Sequence, residues 1–177
     1  MSGHNRRQIG RRTFYVSAVG ALILDQVTKA VARSTLDLGE VVGIVPGLFY
    51  LRLTQNPGAA FGALGSWPPA LILIGFIAVF AILGLRKERA RSNLLAASLG
   101  LLLAGTLGNL IDRIRFGSVT DFLDFTATIY GRVFNWPTFN IADVAITAGV
   151  SFLVYYTLFV DKGTPEKKIA EVSRSNN

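Results

Sequence analysis

Residues 140–156 read NIADVAITAGVSFLVYY, a nearly unbroken apolar run with one carboxylate, Asp143, at its leading edge. The run continues to Val160, and about 20 helical residues are enough to cross the hydrocarbon core of a bilayer. An ionised side chain at bilayer depth costs about 3 kcal/mol even on insertion scales. An acid is kept there where it caps a helix, pairs with a base or does chemistry. The apolar run decides the fold class, and its acid opens the question of function.

Three other stretches share this character: Phe14–Ala32, Pro69–Leu85 and Leu94–Ile114. The 177 residues are 51% hydrophobic and 16% charged, with a mean hydropathy of +0.45. Soluble domains carry about 25% charged residues. The expectation is an α-helical membrane protein of four transmembrane helices, a single domain over residues 1–177 with polar tails at 1–12 and 161–177. The first span is not a cleaved signal peptide on this reading. It runs on into Asp25-Gln-Val-Thr-Lys29 with no small-residue cleavage site after a short apolar core.

The formal charge of +7 would suit nucleic acid were it not for its distribution. Arg6, Arg7, Arg11 and Arg12 precede the first span; Arg86, Lys87, Arg89 and Arg91 fill the loop between spans two and three; Lys162, Lys167, Lys168 and Arg174 follow the fourth. All lie on one side of a four-span topology, which the positive-inside rule makes cytoplasmic, with both termini. The basic charge is therefore a topology signal, and no nucleic-acid partner is expected. The chain has no cysteine, and its one histidine, His4, lies in the basic tail. Thiol nucleophiles, Ser-His-Asp triads and Cys/His zinc sites are thereby excluded, leaving carboxylates, lysines and hydroxyls for any hydrolysis.

Two longer segments face outward. In the first, Ser34–Pro68, Glu40–Val45 and Leu48–Thr54 are rich in β-branched and aromatic residues. Phe49, Leu51 and Leu53 alternate with Tyr50, Arg52 and Thr54, the period of a half-buried strand. Pro46-Gly47 separates the two runs, so a small sheet at the membrane surface is predicted, followed by a turn at Gln55-Asn-Pro-Gly58. In the second, Arg115–Phe139, Tyr130, Phe134, Trp136 and Phe139 suit an interfacial aromatic belt.

Five acids lie near the outer face. Asp25 and Lys29 are spaced i, i+4 with the acid first, the favourable order for a helix ion pair; contact with substrate is the alternative. Asp112 and Arg113 are chain neighbours that cannot face one another on a helix, so each needs a partner elsewhere, in a network that Asn109 can join. Asn140 and Asp143 have the spacing of a capping box. Asp121 follows a helix break at Gly117-Ser118. It shares the depth of Asp143 if spans three and four are antiparallel neighbours, although a solvated loop acid would look the same. Asp124 reads as a bystander. Two such acids would suit peptide hydrolysis by a carboxylate pair, in which close approach keeps one member protonated and the other ionised. That chemistry needs no metal or other cofactor.

Taken together, Asp25-Gln-Val-Thr-Lys29, Asn56-Pro-Gly-Ala-Ala-Phe61, Gly108-Asn-Leu-Ile-Asp-Arg113, Gly117 with Val119-Thr-Asp-Phe122, and Phe139-Asn-Ile-Ala-Asp143 resemble the bacterial signal peptidase II family of membrane aspartic proteases, over about residues 14–160. The resemblance implies cleavage of signal peptides from diacylglyceryl-modified prolipoproteins, before the lipidated Cys, in the bacterial inner membrane. It implies Asp121 and Asp143 as the catalytic dyad. Asn56, Asn109, Arg113 and Asn140 are implied around the active site and substrate, with Asp25, Lys29 and Asp112 in support. Gly58 and Ala59-Ala60 are implied as a surface closely approached by the substrate backbone. The implied partners are the lipidated substrate and membrane lipid, with a monomer as the working unit. One departure is Ala104-Gly105 where paired glycines are expected, a methyl group that slightly alters helix packing.

The rival readings are a proton-coupled carrier subunit using Asp25, Asp112 and Asp143, a Ser/Lys peptidase pairing Lys29 with Ser34, Ser66 or Ser118, and a scaffold. The carrier needs a path of acids across the membrane, whereas these cluster toward one face.

Overall fold

The computed structural model describes residues 3–58, 68–89 and 92–161. Ala59-Ala60, Phe61, Ser66, Arg91 and the charged tail from Lys162 lie outside the described residues. Four helices form a bundle: α1 (Gly3–Thr35), α2 (Pro68–Arg89), α3 (Asn93–Phe116) and α4 (Ile141–Tyr155), the last continued by a π-helical turn over Tyr156–Val160. Their segments Gly10–Thr35, Pro69–Arg86, Asn93–Phe116 and Ile141–Val160 are long and apolar enough to cross a membrane.

The chain's local chemistry sets the helix ends. Ser92 caps α3 by accepting from the Leu95 N–H at 3.1 Å. Gly117 ends it in the left-handed conformation, φ 72°, returning its N–H to Arg113 O at 3.0 Å. Asn140 caps α4 in the capping box read from its spacing with Asp143. Helix α2 opens on Pro68-Pro69, tolerated where the first N–H groups lack intrahelical partners.

Helix α3 is the central one: 56% of its span is buried, against 11% for α2 and α4. It packs on all three others, and small residues permit the approach. A Cβ at Gly100 would meet the α1 backbone at Phe14 O, 2.6 Å away, and one at Gly105 would strike Ala142 O of α4. Ala104 is accommodated, fully buried, so the departure from paired glycines falls where a methyl group fits. Outward-facing Val19, Ile23, Val27, Ile74, Ile77 and Phe80 are exposed, while Asp25, Lys29, Asp112 and Asn140 are buried. Apolar outside and polar inside is the arrangement suited to lipid as solvent.

A four-stranded antiparallel sheet in the order β1-β2-β3-β4 covers one end of the bundle, with β1 Val41–Val45, β2 Phe49–Asn56, β3 Val119–Ile129 and β4 Arg132–Asn135. The β1–β2 hairpin is the small sheet predicted from the alternation. Strands β3 and β4 lie outside that expectation, because Thr120, Asp121 and Asp124 break the apolar alternation that marks a strand. These three residues are nevertheless buried, since the first half of β3, residues 119–124, is covered on both faces. Pairing of β2 with β3 sets Thr54 opposite Asp121 and Asn56 opposite Val119. One apolar core of Phe14, Ile82, Leu95, Leu99 and Leu103 fills the far end of the bundle; a second, Ala32, Leu53 and Phe122, lies beneath the sheet. The polar residues lie between them.

Candidate active site

Three elements deliver the two acids and the amides between them. Asp121 is the third residue of β3, 2% exposed, and its solvated-loop reading is corrected by that burial. Asp143 stands in the first turn of α4. Asn140, wholly buried, donates from Nδ2 to Asp121 Oδ1 at 2.6 Å and to Asn109 Oδ1 at 3.2 Å. Asn109, on α3, donates from its own Nδ2 to Asp143 Oδ1 at 2.8 Å. The two carboxylates are thus linked through two side-chain amides.

Asp143 is a cap and a member of this cluster at once. Its Oδ2 accepts from the Asn140 backbone N–H at 3.2 Å, while its own N–H donates to Asn140 Oδ1 at 3.0 Å. Its other oxygen remains for the site. Asn56 performs a similar double task. Its Oδ1 accepts from the Gly58 N–H at 2.9 Å, closing a turn over Pro57, and this aims its Nδ2 at Asp121 Oδ2, also 2.9 Å away. Gly58 has φ +107°, a backbone conformation that favours glycine at the end of this turn.

Burial pushes the Asp121 carboxyl up to about 6, and the charge of Asp143 adds to the rise. The Asn56 and Asn140 amides and the Lys29 charge pull in the other direction. An acid that titrates near neutrality beside a second acid is suited to exchanging a proton with it.

Behind this layer is a buried ionic cluster. Lys29 Nζ lies 3.1 Å from Asp25 Oδ2 and 3.4 Å from Asp112 Oδ2, and donates to Asn109 Oδ1 at 2.9 Å. The predicted Asp25–Lys29 pair is present, and Asp112 finds its partners in Lys29, Arg33 and the Thr120 N–H. Arg113 faces the charges of Asp143 and Asp121, with its buried Nε unpaired. Asp124 is buried as well, held by Arg52 at 2.7 Å, so it is a partnered acid and not a solvated one. Of the two described serines neither joins Lys29: Ser34 bonds to Val31 O and Ser118 to Gln55. Sequence reasoning missed two members of the network, Arg33 and Thr120. Arg33, one turn beyond Lys29 on α1, could have been found from its helical spacing.

Beside the site, the sheet carries an apolar cleft of about 470 Å³ lined by Leu48, Phe125, Ala127, Phe134, Trp136 and Phe139. Among the described residues no His/Cys/Asp/Glu group is arranged to hold a metal ion.

Residues 17–159 match the family model described as signal peptidase (SPase) II. A lipoprotein signal peptidase of Geobacter sulfurreducens is 42% identical over 146 residues, covering 80% of this chain and 89% of that protein. One of Pelotomaculum thermopropionicum is 42% identical over 156 residues, covering 88% and 96%. A solved bacterial membrane enzyme, determined by the in meso method, superimposes with a TM-score of 0.74 at 33% identity, covering 84% of this chain and 94% of that one. The family match covers most of the chain, and the four helices and sheet superimpose on a solved relative: this protein belongs to the signal peptidase II family.

Proposed function

We propose that the protein is a membrane aspartic endopeptidase of the bacterial inner membrane that cuts signal peptides from diacylglyceryl-modified prolipoproteins just before the lipidated Cys, with Asp121 and Asp143 as its dyad. The observation that carries this reading is the linkage of Asp121 and Asp143 through the amides of Asn140 and Asn109. Asp121, with its raised pKa, is the protonated member. Asp143, in the first turn of α4 where the helix dipole favours a carboxylate, is assigned as the proton acceptor.

Asp143 takes a proton from water as the water oxygen attacks the scissile carbonyl carbon, while Asp121 gives its proton to the carbonyl oxygen. The resulting tetrahedral diol collapses with Asp121 recovering a proton from a hydroxyl. Asp143 delivers its proton to the departing nitrogen as the C–N bond breaks. The amine that leaves is that of the lipidated Cys, and the peptide upstream departs with a free carboxylate.

The charge pattern favours cytoplasmic termini and a site at the outer face, where a lipid-anchored substrate presents its scissile bond. The exposed Tyr130, Val133, Phe134 and Trp136 of the β3–β4 hairpin suit contact with lipid at the same level. A single chain supplies both acids, which supports a monomer as the working unit. The proton-carrier reading has nothing in its favour, because the buried acids gather at the sheet end of the bundle.

The test is cleavage of a diacylglyceryl-modified prolipoprotein by purified Asp121→Asn, Asp143→Asn and Asp124→Asn proteins of verified fold. The first two are expected to lose at least about 10³-fold in rate, within the range for removing a group that acts in the transition state, and the third to stay within about threefold of wild type. Wild-type turnover in either of the first two would overturn the dyad.

A further inference from the structure

Lys29 is completely buried, on a helix that crosses the membrane, and the proposed reaction gives it no proton to move. Its surroundings are unusual in connecting to both acids. Asp25, on one side of its ammonium, accepts the Ala142 N–H on Oδ1 at 2.8 Å, and Ala142 immediately precedes Asp143. Asp112, on the other side, accepts the Thr120 N–H on Oδ2 at 2.9 Å, and Thr120 immediately precedes Asp121. The third contact of the ammonium is Asn109 Oδ1, and the other end of that amide bonds Asp143. Asn109 therefore has a cation at its oxygen and a carboxylate at its nitrogen, which aligns its dipole in a single sense.

We propose that Lys29 is a positioning residue for both acids: through Asn109 it orients the hydrogen bond to Asp143, and through Asp25 and Asp112 it ties together the two backbone anchors that precede Asp143 and Asp121. The proposal rests on the assignment of those two acids as the dyad. Loss of the ammonium would leave two buried carboxylates without their shared counter-ion, which destabilises a fold whatever happens to catalysis. The informative change therefore keeps the charge balanced. In Asp25→Asn/Lys29→Met one acid and one base are neutralised together. The amide oxygen introduced at position 25 can still accept the Ala142 N–H, and Asp112 keeps Arg33. What is lost is the ammonium's bond to Asn109, whose oxygen keeps the Asn140 amide, and its bridge between Asp25 and Asp112.

The experiment measures kcat, KM and melting temperature for this double variant, for Asn109→Ala, for the two combined, and for Asp121→Asn and Asp143→Asn alongside. The expected result is a kcat at least about 30-fold below wild type with KM within threefold and melting within a few degrees. Adding Asn109→Ala is expected to bring less than the product of the two separate losses, because part of the ammonium's effect passes through that amide and coupled residues are non-additive. A kcat within threefold of wild type would show that Lys29 only neutralises buried acids, and multiplicative losses with Asn109→Ala would show that it does not act through the amide. Either would overturn the proposal, as would a double variant that fails to fold, since the ion pair would then be a requirement of folding. If Asp121→Asn or Asp143→Asn were active, the dyad itself would fall; if both were inactive while the double variant stayed active, only the role of Lys29 would.

Discussion

Asp121 carries a cost that its surroundings only partly offset. Its carboxyl is buried and raised to about 6, above its value in an unfolded chain. A group of this kind contributes stability while protonated, below the unfolded carboxylate range, and loses it as pH rises through about 6. Asp121→Asn has no charge to bury but turns one of the two acceptors, for Asn140 or for Asn56, into a donor; its stability relative to wild type is therefore expected to be higher at pH 8 than at pH 4 by on the order of 1–2 kcal/mol. Thermal melts at both pH values would check the sign. The same titration should appear in turnover. With protonated Asp121 as the proposed reactive form, kcat/KM is expected to fall as pH rises above about 6. The matching limb of kcat is expected at higher pH, because bound substrate deepens the burial. A pH–rate profile flat from 5 to 8 would contradict that assignment.

At the scale of elements, the N-terminus of α4 is where capping and the proposed chemistry share atoms. Asn140 uses its oxygen for the cap and its nitrogen for Asp121 and Asn109. Serine is an equally good cap but has no amide to reach Asp121. Asn140→Ser is expected to keep the melting temperature within a few degrees while losing at least about tenfold in kcat. Asn140→Ala should lose the cap as well, about 1 kcal/mol. The register between α3 and α4 is equally exacting. A Cβ at Gly105 would strike Ala142 O, one residue before Asp143. Gly105→Ala is therefore expected to cost about 1–3 kcal/mol by overpacking and to depress turnover by displacing α4; both can be read from melts and rates on the same preparation. The strand pairing matters likewise, for β2 carries Asn56 to Asp121 only when β3 lies beside it.

For the whole molecule, the bundle is apolar outside and ionic within, with the sheet closing one end. The absence of cysteine makes its orientation directly measurable, since any introduced thiol is unique. A membrane-impermeant maleimide is expected to label Tyr130→Cys, at the exposed β3–β4 turn, from outside intact cells. Asn93→Cys, at the opposite end of α3, should react only after the membrane is permeabilised. The reverse pattern would invert the topology. The sheet's apolar cleft and the dyad would both face the outer leaflet in the expected orientation, placing the reacting bond of a lipid-anchored substrate beside them.

The spans, the break at Gly117, the cap at Asn140 and the β1–β2 hairpin were all legible in the sequence, because each depends on residues within a few positions of one another. Hydropathy, a left-handed glycine, a side chain reaching its own backbone and a two-residue period are local quantities. The Asp25–Lys29 pair was legible for the same reason, one helical turn apart. Pairing of β2 with β3 joins residues about 65 positions apart in sequence, and no local pattern encodes it. Nor does any spacing show that Asp124 is buried against Arg52 or that Asp112 holds the Thr120 N–H. Those contacts exist because α1, α3, α4 and the sheet converge on one polar layer between two apolar cores. A buried charge in such a layer must find its partner wherever the fold brings one. Which acids could meet was written in the chain; how they are held was decided by the packing that excludes water from around them.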